Sequence, residues 1–146
     1  MTAGWPREGG CRCGRLRFRV AAAPILTMVC HCAGCQRMTG GAFSMGATFR
    51  RQDFQVIQGE PVVGGLKGEI RHQFCPECMS WVYTEPGEVI VNVRTPMLDE
   101  AADLAPFMET CAAEKLDWVT TPAVRSFPVF PSLDDWFEMT AAYAAR

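Results

Sequence analysis

Seven of the eight cysteines fall into three short clusters, and they constrain the fold of this chain more than any other feature. The pair Cys75 and Cys78 has the spacing C-P-x-C of a zinc knuckle, a turn that holds two thiolates on one metal ion. A closed structural zinc site needs four ligands, and the C-x-C pair of Cys11 and Cys13 is the natural complement. The sequence therefore predicts a four-thiolate zinc site that ties the start of the chain to its middle and stabilises the domain.

The remaining cluster places Cys30, Cys32 and Cys35 within six residues, at the spacing C-x-C-x-x-C. In an extended segment Cys30 and Cys32 share a face, His31 points away, and Cys35 arrives through a turn. A catalytic zinc keeps three protein ligands and one exchangeable position, so this triplet predicts chemistry. Two alternatives stay open, in which Cys111 or His31 supplies a further ligand. The sequence favours a buried apolar role for Cys111, and a place behind the ligands or at the solvent for His31.

The first eight residues lack the apolar segment of a secretory signal, so we expect a cytoplasmic protein. Cytosolic thiols stay reduced, which makes metal binding the expected reason for eight cysteines and disfavours a disulfide framework. The longest stretch without a charged residue, between Arg19 and Arg37, is broken by Pro24 and cannot span a membrane. A net charge of −2 and a pI near 5.7 give no sign of a nucleic-acid partner or of binding to an anionic membrane.

With 146 residues the chain is expected to form one domain, residues 1–146, with a mainly β fold. Residues 15–20 alternate apolar residues with arginines, the pattern of a half-buried strand, and the arginines are expected to face solvent rather than to bind an anion. Residues 36–41 predict only a short turn. Apolar segments bounded by Gly, Pro or charged residues predict further short strands over 25–32, 42–49, 54–58, 69–74, 81–85, 89–94 and 106–112.

The C-terminal segment predicts the one long helix, over about residues 132–145. Ser132 is placed to cap this helix, and Asp134 and Asp135 lie in its first turn, where acidic side chains are favourable. The helix either covers the sheet or forms the contact of a homodimer. Its apolar face is predicted to carry Leu133, Trp136, Phe137, Thr140 and Ala144.

Several motifs occur together along residues 5–120. They are G-G-C-x-C-G at residues 9–14, C-H-C-x-x-C-Q-R at 30–37, T-G at 39–40, F-C-P-x-C at 74–78, and Pro106 followed twelve residues later by Trp118. In this order and spacing the motifs resemble the glutathione-dependent formaldehyde-activating enzyme family, which includes centromere protein V.

The resemblance implies a distorted β-sandwich similar to the fold of translationally controlled tumour protein, with a family-like core over about residues 5–120. It implies two zinc ions per chain, a structural one and a catalytic one. The implied activity is the condensation of formaldehyde with glutathione to S-hydroxymethylglutathione, a carbon–sulfur lyase-type reaction. A thiol held at the open zinc as a thiolate would attack the aldehyde carbon. The implied ligands are Cys11, Cys13, Cys75 and Cys78 for the structural zinc, and Cys30, Cys32 and Cys35 for the catalytic one.

Three features depart from the family pattern. Met79 stands where many members have glycine, directly after the second knuckle cysteine, and this predicts a strained or differently shaped turn. Glu109 stands where many relatives carry a histidine, so we expect this carboxylate to act as a base or to repel a tripeptide that carries carboxylates. The helix after Ser132 lies outside the shared pattern.

Together these features favour a zinc enzyme that adds a thiol, glutathione or another, to a small aldehyde such as formaldehyde, or that catalyses the reverse reaction. In this hypothesis Arg37 anchors an anionic substrate. The alternatives are a non-catalytic zinc module that binds or scaffolds, and a thiol redox sensor that releases zinc on mild oxidation.

Overall fold

The computed structural model describes residues 4–66 and 68–146, and β-strands make up most of the regular structure there. Within these residues the strands are β1 (Arg7–Gly10), β2 (Arg17–Val20), β3 (Leu26–Cys30), β4 (Ser44–Arg50), β5 (Phe54–Gln58), β6 (Val62–Gly64), β7 (Arg71–Phe74), β8 (Trp81–Glu85), β9 (Ile90–Arg94), β10 (Met108–Thr110) and β11 (Arg125–Ser126). The α-helices are α1 (Ala33–Thr39) and α2 (Leu133–Ala145). Short 3₁₀ turns cover Arg51–Asp53, Thr95–Met97 and Ala112–Glu114.

The strands form two sheets, one of three strands and one of eight. In the small sheet β2 lies between β1 and β5 and is antiparallel to both. The large sheet has the order β11-β10-β3-β4-β9-β8-β7-β6, and β10 runs parallel to both β3 and β11 while the other pairs are antiparallel. The prediction of a mainly β fold is therefore confirmed. In the described part of the chain, neither helix has the length and apolar character needed to cross a membrane.

One apolar core is shared by the two sheets. Phe18 of β2 stacks on Phe54 of β5 with ring centroids 5.5 Å apart, and Phe54 contacts Tyr83 of β8 at 4.6 Å. Phe49 and Val93 of the large sheet are fully buried in the same cluster. Complete burial of a side chain of this kind contributes about 1.5–3 kcal/mol, so this cluster holds the small sheet against the large one.

A second apolar cluster lies beneath α2. Met139 and Tyr143 of the helix are buried against Met28 of β3 and Met108 of β10. The predicted C-terminal helix is thus confirmed, and it covers the sheet, which is one of its two predicted roles. The homodimer contact stays a prediction.

The face that α2 buries differs from the predicted one. Leu133 and Phe137 are 69% and 60% exposed, and Ala144 is exposed as well, whereas Trp136 packs partly against the second cluster. The helix carries two neighbouring apolar stripes, and only the stripe that continues through positions 139 and 143 meets the sheet. Helical periodicity alone gave no reason to prefer that stripe.

One segment folds differently from the sequence prediction. Residues 36–41 were predicted to form a turn, but α1 extends to Thr39, and the Sγ of Cys32 caps this helix by accepting the backbone N–H of Cys35 at 3.3 Å.

Gly9 lies inside β1. A Cβ at Gly9 would lie 2.2 Å from the carbonyl oxygen of Met97, so close approach of the backbones requires glycine here.

The arginines of residues 15–20 have carboxylate partners near the protein surface. These ion pairs favour a solvated face over an anion-binding face, as expected from the alternating pattern. The pairs are Arg15–Glu77, Arg17–Asp99 and Arg19–Glu8, with N–O distances of 3.1, 2.5 and 2.5 Å.

Candidate metal centres

The first metal centre combines the two cysteine pairs that are most distant in sequence. The Sγ atoms of Cys11, Cys13, Cys75 and Cys78 all lie within 4.8 Å of one another. The sulfurs of Cys11 and Cys13 are 3.5 Å apart, and those of Cys13 and Cys75 are 3.8 Å apart. The structure therefore brings together the four residues that the sequence predicted as one ligand set.

Local backbone geometry turns these sulfurs towards each other. Cys11 follows β1, and its Sγ accepts the backbone N–H of Leu16 at 3.3 Å. Cys75 follows β7, and its carbonyl accepts the N–H of Met79 at 2.9 Å, which closes the knuckle turn. Cys11 and Cys75 are buried at 7% and 0% exposure. Buried sulfurs with amide donors are typical of a closed structural metal site.

Met79 occupies the strained position that the sequence indicated. Its φ is 58°, in the left-handed region that glycine adopts without steric conflict. Its side chain is 58% exposed, so burial compensates little of this strain. The knuckle turn nevertheless brings Cys75 and Cys78 into the four-thiol group.

The second metal centre is built where β3 ends and α1 begins. Cys30 is the last residue of β3, Cys32 caps α1, and Cys35 lies within that helix. Their Sγ atoms lie within 4.8 Å of one another, and all three residues are half-buried. The junction of strand and helix thus brings the three predicted thiols together with part of the cluster open to solvent.

Hydroxyl groups on the neighbouring strands flank these thiols. Cys30 pairs with Thr110 of β10 on one side and with Ser44 of β4 on the other, so the three side chains form a row across the sheet. A hydrogen bond from the Cys35 thiol, assisted by one from Thr110, lowers the pKa of Cys30 to about 5. The thiolate at Cys30 in turn raises the pKa of Cys35, an effect that Ser44 partly opposes. In this pair, Cys30 therefore ionises before Cys35.

Neither proposed extra ligand joins the three-thiol group. Cys111 lies close enough to Cys30 that burial and the neighbouring thiolate raise its pKa to about 12, but its sulfur is outside the group of mutually close thiols. His31 is fully buried, with its ring edge against Phe43. Burial shows that the solvent-facing alternative for His31 is wrong. Among the described residues, no fourth cysteine, histidine or carboxylate completes this centre.

Glu109 lies on the opposite face of the sheet from the row of thiols and holds His31 there. Its Oε1 accepts hydrogen bonds from the His31 Nε2, from the Lys115 Nζ and from the Thr121 Oγ1, at 3.1, 3.0 and 2.6 Å. Burial opposes ionisation, but these donors outweigh it and lower the pKa of Glu109 to about 2. Glu109 is therefore a carboxylate at neutral pH, and it is 5% exposed.

Two arginines differ in their relation to the three-thiol centre. Arg37, which the sequence singled out, is an exposed residue on α1. Arg94, at the end of β9, is 9% exposed, and the charges of Cys35 and Cys30 act on it. Sequence analysis missed Arg94, although the alternation of residues 90–94 places it in a strand where arginine is unusual.

Both centres offer only thiol sulfurs as ligand atoms, and both could hold a metal ion. Soft thiolate ligands favour zinc over magnesium, calcium and manganese. Four thiols match a closed structural site, whereas three thiols match a site with one exchangeable position. The residues present are therefore compatible with one zinc ion at each centre.

Comparisons with known proteins identify relatives of this chain. A family model described as glutathione-dependent formaldehyde-activating enzyme matches residues 6–114, a segment that contains both thiol clusters. A protein of Halomonas elongata, named for the same activity, is 27% identical over 145 residues that span 88% of this chain and 92% of that protein. A crystal structure of a Rhodobacter sphaeroides protein shares the fold, with a TM-score of 0.51 and 20% identity over 66% of this chain and 91% of that one. The chain therefore belongs to the glutathione-dependent formaldehyde-activating enzyme family.

Proposed function

We propose that this protein is a zinc enzyme that adds a thiol to a small aldehyde such as formaldehyde, or catalyses the reverse reaction. The observation that carries the proposal is the three-thiol centre of Cys30, Cys32 and Cys35, which has no fourth ligand among the described residues. The family match supports glutathione and formaldehyde as substrates. The proposal includes a carbon–sulfur lyase-type reaction, zinc as the metal and a cytoplasmic location.

The two centres would divide their tasks. Zinc at the four-thiol centre would hold the start of the chain to the loop after β7. When bound at the three-thiol centre, zinc keeps a substrate thiol in its thiolate form at neutral pH. A thiolate is the reactive nucleophile, so this centre supplies the chemistry that a thiol addition needs.

The reaction forms one carbon–sulfur bond and breaks the π bond of the carbonyl group. The substrate sulfur donates an electron pair to the aldehyde carbon, and the π electrons move to the aldehyde oxygen. That oxygen takes up the proton that the thiol has released, which gives a hydroxymethyl thioether from formaldehyde. No group is oxidised or reduced, so no redox partner is required.

The protein's own residues fix the geometry of the centre. The N–H of Cys35 donates to the Sγ of Cys32 at 3.3 Å, which sets the spacing of these two sulfurs on the first turn of α1. Gln36 donates from its Nε2 to the carbonyls of His31 and Glu114 at 2.7 and 3.0 Å, so the start of α1 is attached to the loop after β10. Such support keeps the ligands in place before substrate arrives.

The contacts of Glu109 favour a positioning role over the predicted role as a base. A carboxylate with a pKa of about 2 accepts protons poorly at neutral pH, and three donors already occupy one of its oxygens. We propose that Glu109 orients His31 behind the thiol-bearing strand. Arg37 as an anchor for an anionic substrate stays a prediction.

Exchange spectroscopy by NMR tests the proposed activity. We expect zinc-loaded protein to accelerate the exchange between formaldehyde and the S-hydroxymethyl adduct of glutathione or of a smaller thiol. Cys30→Ser removes one ligand of the three-thiol centre. Its matched control is Cys111→Ser, which removes a thiol outside that centre. If zinc-loaded wild-type protein leaves the spontaneous exchange unchanged for every thiol tried, the protein is a non-catalytic zinc module.

A further inference from the structure

Arg94 is a buried cation for which the structure gives no carboxylate partner among the described residues. It is 9% exposed, and its guanidinium lies over the ring of Trp81, 4.3 Å from the ring centroid. Within the described part of the chain, its Nε atom has no hydrogen-bond partner. A buried guanidinium normally has an acceptor for each donor, so Arg94 has binding capacity that these residues do not use.

The register of the large sheet directs Arg94 along the face that carries the three thiols. On β4, Ser44 lies opposite Cys30 of β3, and Gly46 lies opposite Arg94 of β9. Residues 44 and 46 share a face because side chains alternate along a strand. Cys30 and Arg94 therefore lie on the same side of the sheet, separated by one strand.

Gly46 leaves the space that the Arg94 side chain occupies. A Cβ at position 46 would lie 3.1 Å from the Nη2 of Arg94, so the guanidinium passes over a strand position that has no side chain. Burial lowers the pKa of Arg94 to about 10, although the charges of Cys35 and Cys30 oppose this shift. The cation thus lies within electrostatic reach of the thiols.

A cavity of about 400 Å³ borders Arg94, where β4 begins and β9 ends. Of the described residues that line the cavity, only Arg94 is charged. The hydroxyls of its other polar residues have partners already, since Thr39 donates to the Cys35 carbonyl at 2.8 Å and Ser80 contacts the Cys78 sulfur at 3.2 Å. The rest of the lining is apolar and includes Met38, Phe43, Met45, Met79, Trp81 and Met97.

We infer that this cavity binds the anionic end of the thiol substrate, and that Arg94 receives a carboxylate of a compact thiol acid whose sulfur reaches the three-thiol centre. The inference deepens the proposed function, on which it rests. An apolar cavity with one charged anchor is the usual design of a site for a small amphipathic ligand. A guanidinium binds a carboxylate through two parallel hydrogen bonds, which fixes orientation as well as charge.

The same lining disfavours a tripeptide thiol. Glutathione carries two carboxylates, an ammonium group and two amides, and each needs a partner when it leaves water. Arg94 satisfies one carboxylate, and the side chains of Thr39 and Ser80 are engaged elsewhere. A thiol with one carboxylate and a short aliphatic body leaves no such group unpaired.

Isothermal titration calorimetry with the zinc-loaded protein tests this inference without any aldehyde. We expect 3-mercaptopropionate to bind at least about tenfold more tightly than 2-mercaptoethanol, which lacks the carboxylate. A charge-assisted hydrogen-bonded pair raises the affinity by about this factor. We also expect it to bind more tightly than glutathione. Equal affinities for the two small thiols, or tighter binding of glutathione, overturn the inference on the wild-type protein alone.

Variants then locate the carboxylate. Arg94→Met is expected to lose about tenfold in affinity for 3-mercaptopropionate while the affinity for 2-mercaptoethanol stays within about twofold. Arg94→Lys, which keeps the charge but not the paired donors, should retain part of the preference. Zinc content and circular dichroism verify that each variant is folded. Equal losses for both thiols show that Arg94 only balances the thiolate charge, and they contradict the inference.

The two proposals fail in different ways. A preference for the thiol acid without acceleration of formaldehyde exchange removes the proposed activity and leaves the binding site standing. Acceleration of the exchange with equal affinities for the two small thiols supports the activity and removes the role of Arg94.

Discussion

The two thiol centres differ in how the chain assembles them. The four-thiol centre joins residues that are 62 positions apart at their shortest cross-link, from Cys13 to Cys75, and two of its sulfurs are fully or almost fully buried. The three-thiol centre uses six consecutive residues at one strand–helix junction, and its sulfurs are half-buried. A metal that closes a long loop removes much entropy from the unfolded chain, whereas a metal bound by neighbouring residues removes little. The difference supports the proposed division, in which the first centre stabilises the fold and the second performs chemistry.

Substitution in the four-thiol centre is expected to have the largest effect. Cys75→Ser removes a buried ligand, so the free energy of unfolding should fall by about 4 kcal/mol or more, and the metal at this centre should be lost. Denaturant unfolding and metal analysis measure both quantities. Cys111→Ser is the matched control, because it removes a half-buried thiol outside either group. A stable Cys75→Ser variant with an unchanged metal content would contradict a stabilising role for the four-thiol centre.

Substitution in the three-thiol centre should separate activity from stability. We expect Cys30→Ser to lose one of two bound metals and at least about 100-fold in thiol–aldehyde exchange, because one of the three thiol ligands is gone. The unfolding free energy should fall by only about 1 kcal/mol, since the loop that this metal closes is short. Global unfolding of the variant would show instead that both centres are structural.

The support behind the three-thiol centre should have an intermediate effect that depends on pH. Glu109→Gln leaves Lys115 and His31 without their carboxylate, so we expect a loss of about 2 kcal/mol in stability at pH 7. The folded pKa of Glu109, about 2, lies below its ordinary value of 4.5, so its contribution is present above about pH 4.5 and disappears as pH falls towards 2.

The measurement is the difference in unfolding free energy between wild type and Glu109→Gln as a function of pH. Taking the difference cancels the protonation of thiols, which both proteins share. A difference that stays constant between pH 6 and pH 3 would show that the carboxylate charge is not what stabilises this region.

The smallest effect is expected at the knuckle. Met79→Gly relieves a φ of 58° and removes a side chain that is 58% exposed, so stability should rise by about 0.5–1 kcal/mol. Thermal unfolding should show an increase of about 2 °C in the midpoint. Met79→Ala keeps the Cβ and therefore the strain, and it should give no increase. A decrease for the glycine variant would mean that contacts of Met79 at the cavity outweigh the strain.

The sequence was most informative where chemistry is local or ligand types are rare. Cysteine spacing alone predicted the three-thiol group, and the knuckle with its complementary pair predicted the four-thiol group. The pairing of Glu109 with His31 could not be predicted, because it depends on β10 lying parallel to β3 across 78 positions of sequence. The same is true of Arg94, whose relation to Cys30 exists only because β4 lies between their two strands.

The β10–β11 pair has a consequence for how this protein can be divided. The match to the family model ends at residue 114, but β11 is hydrogen-bonded to β10, and Thr121 holds Glu109 at 2.6 Å. A chain cut at residue 114 would expose β10 as an uncovered sheet edge and remove α2 from the apolar cluster around Met28 and Met108. Such edges recruit other strands and promote aggregation. The end of the family match is therefore not the end of the folding unit, because β11 extends the large sheet and α2 covers its apolar cluster.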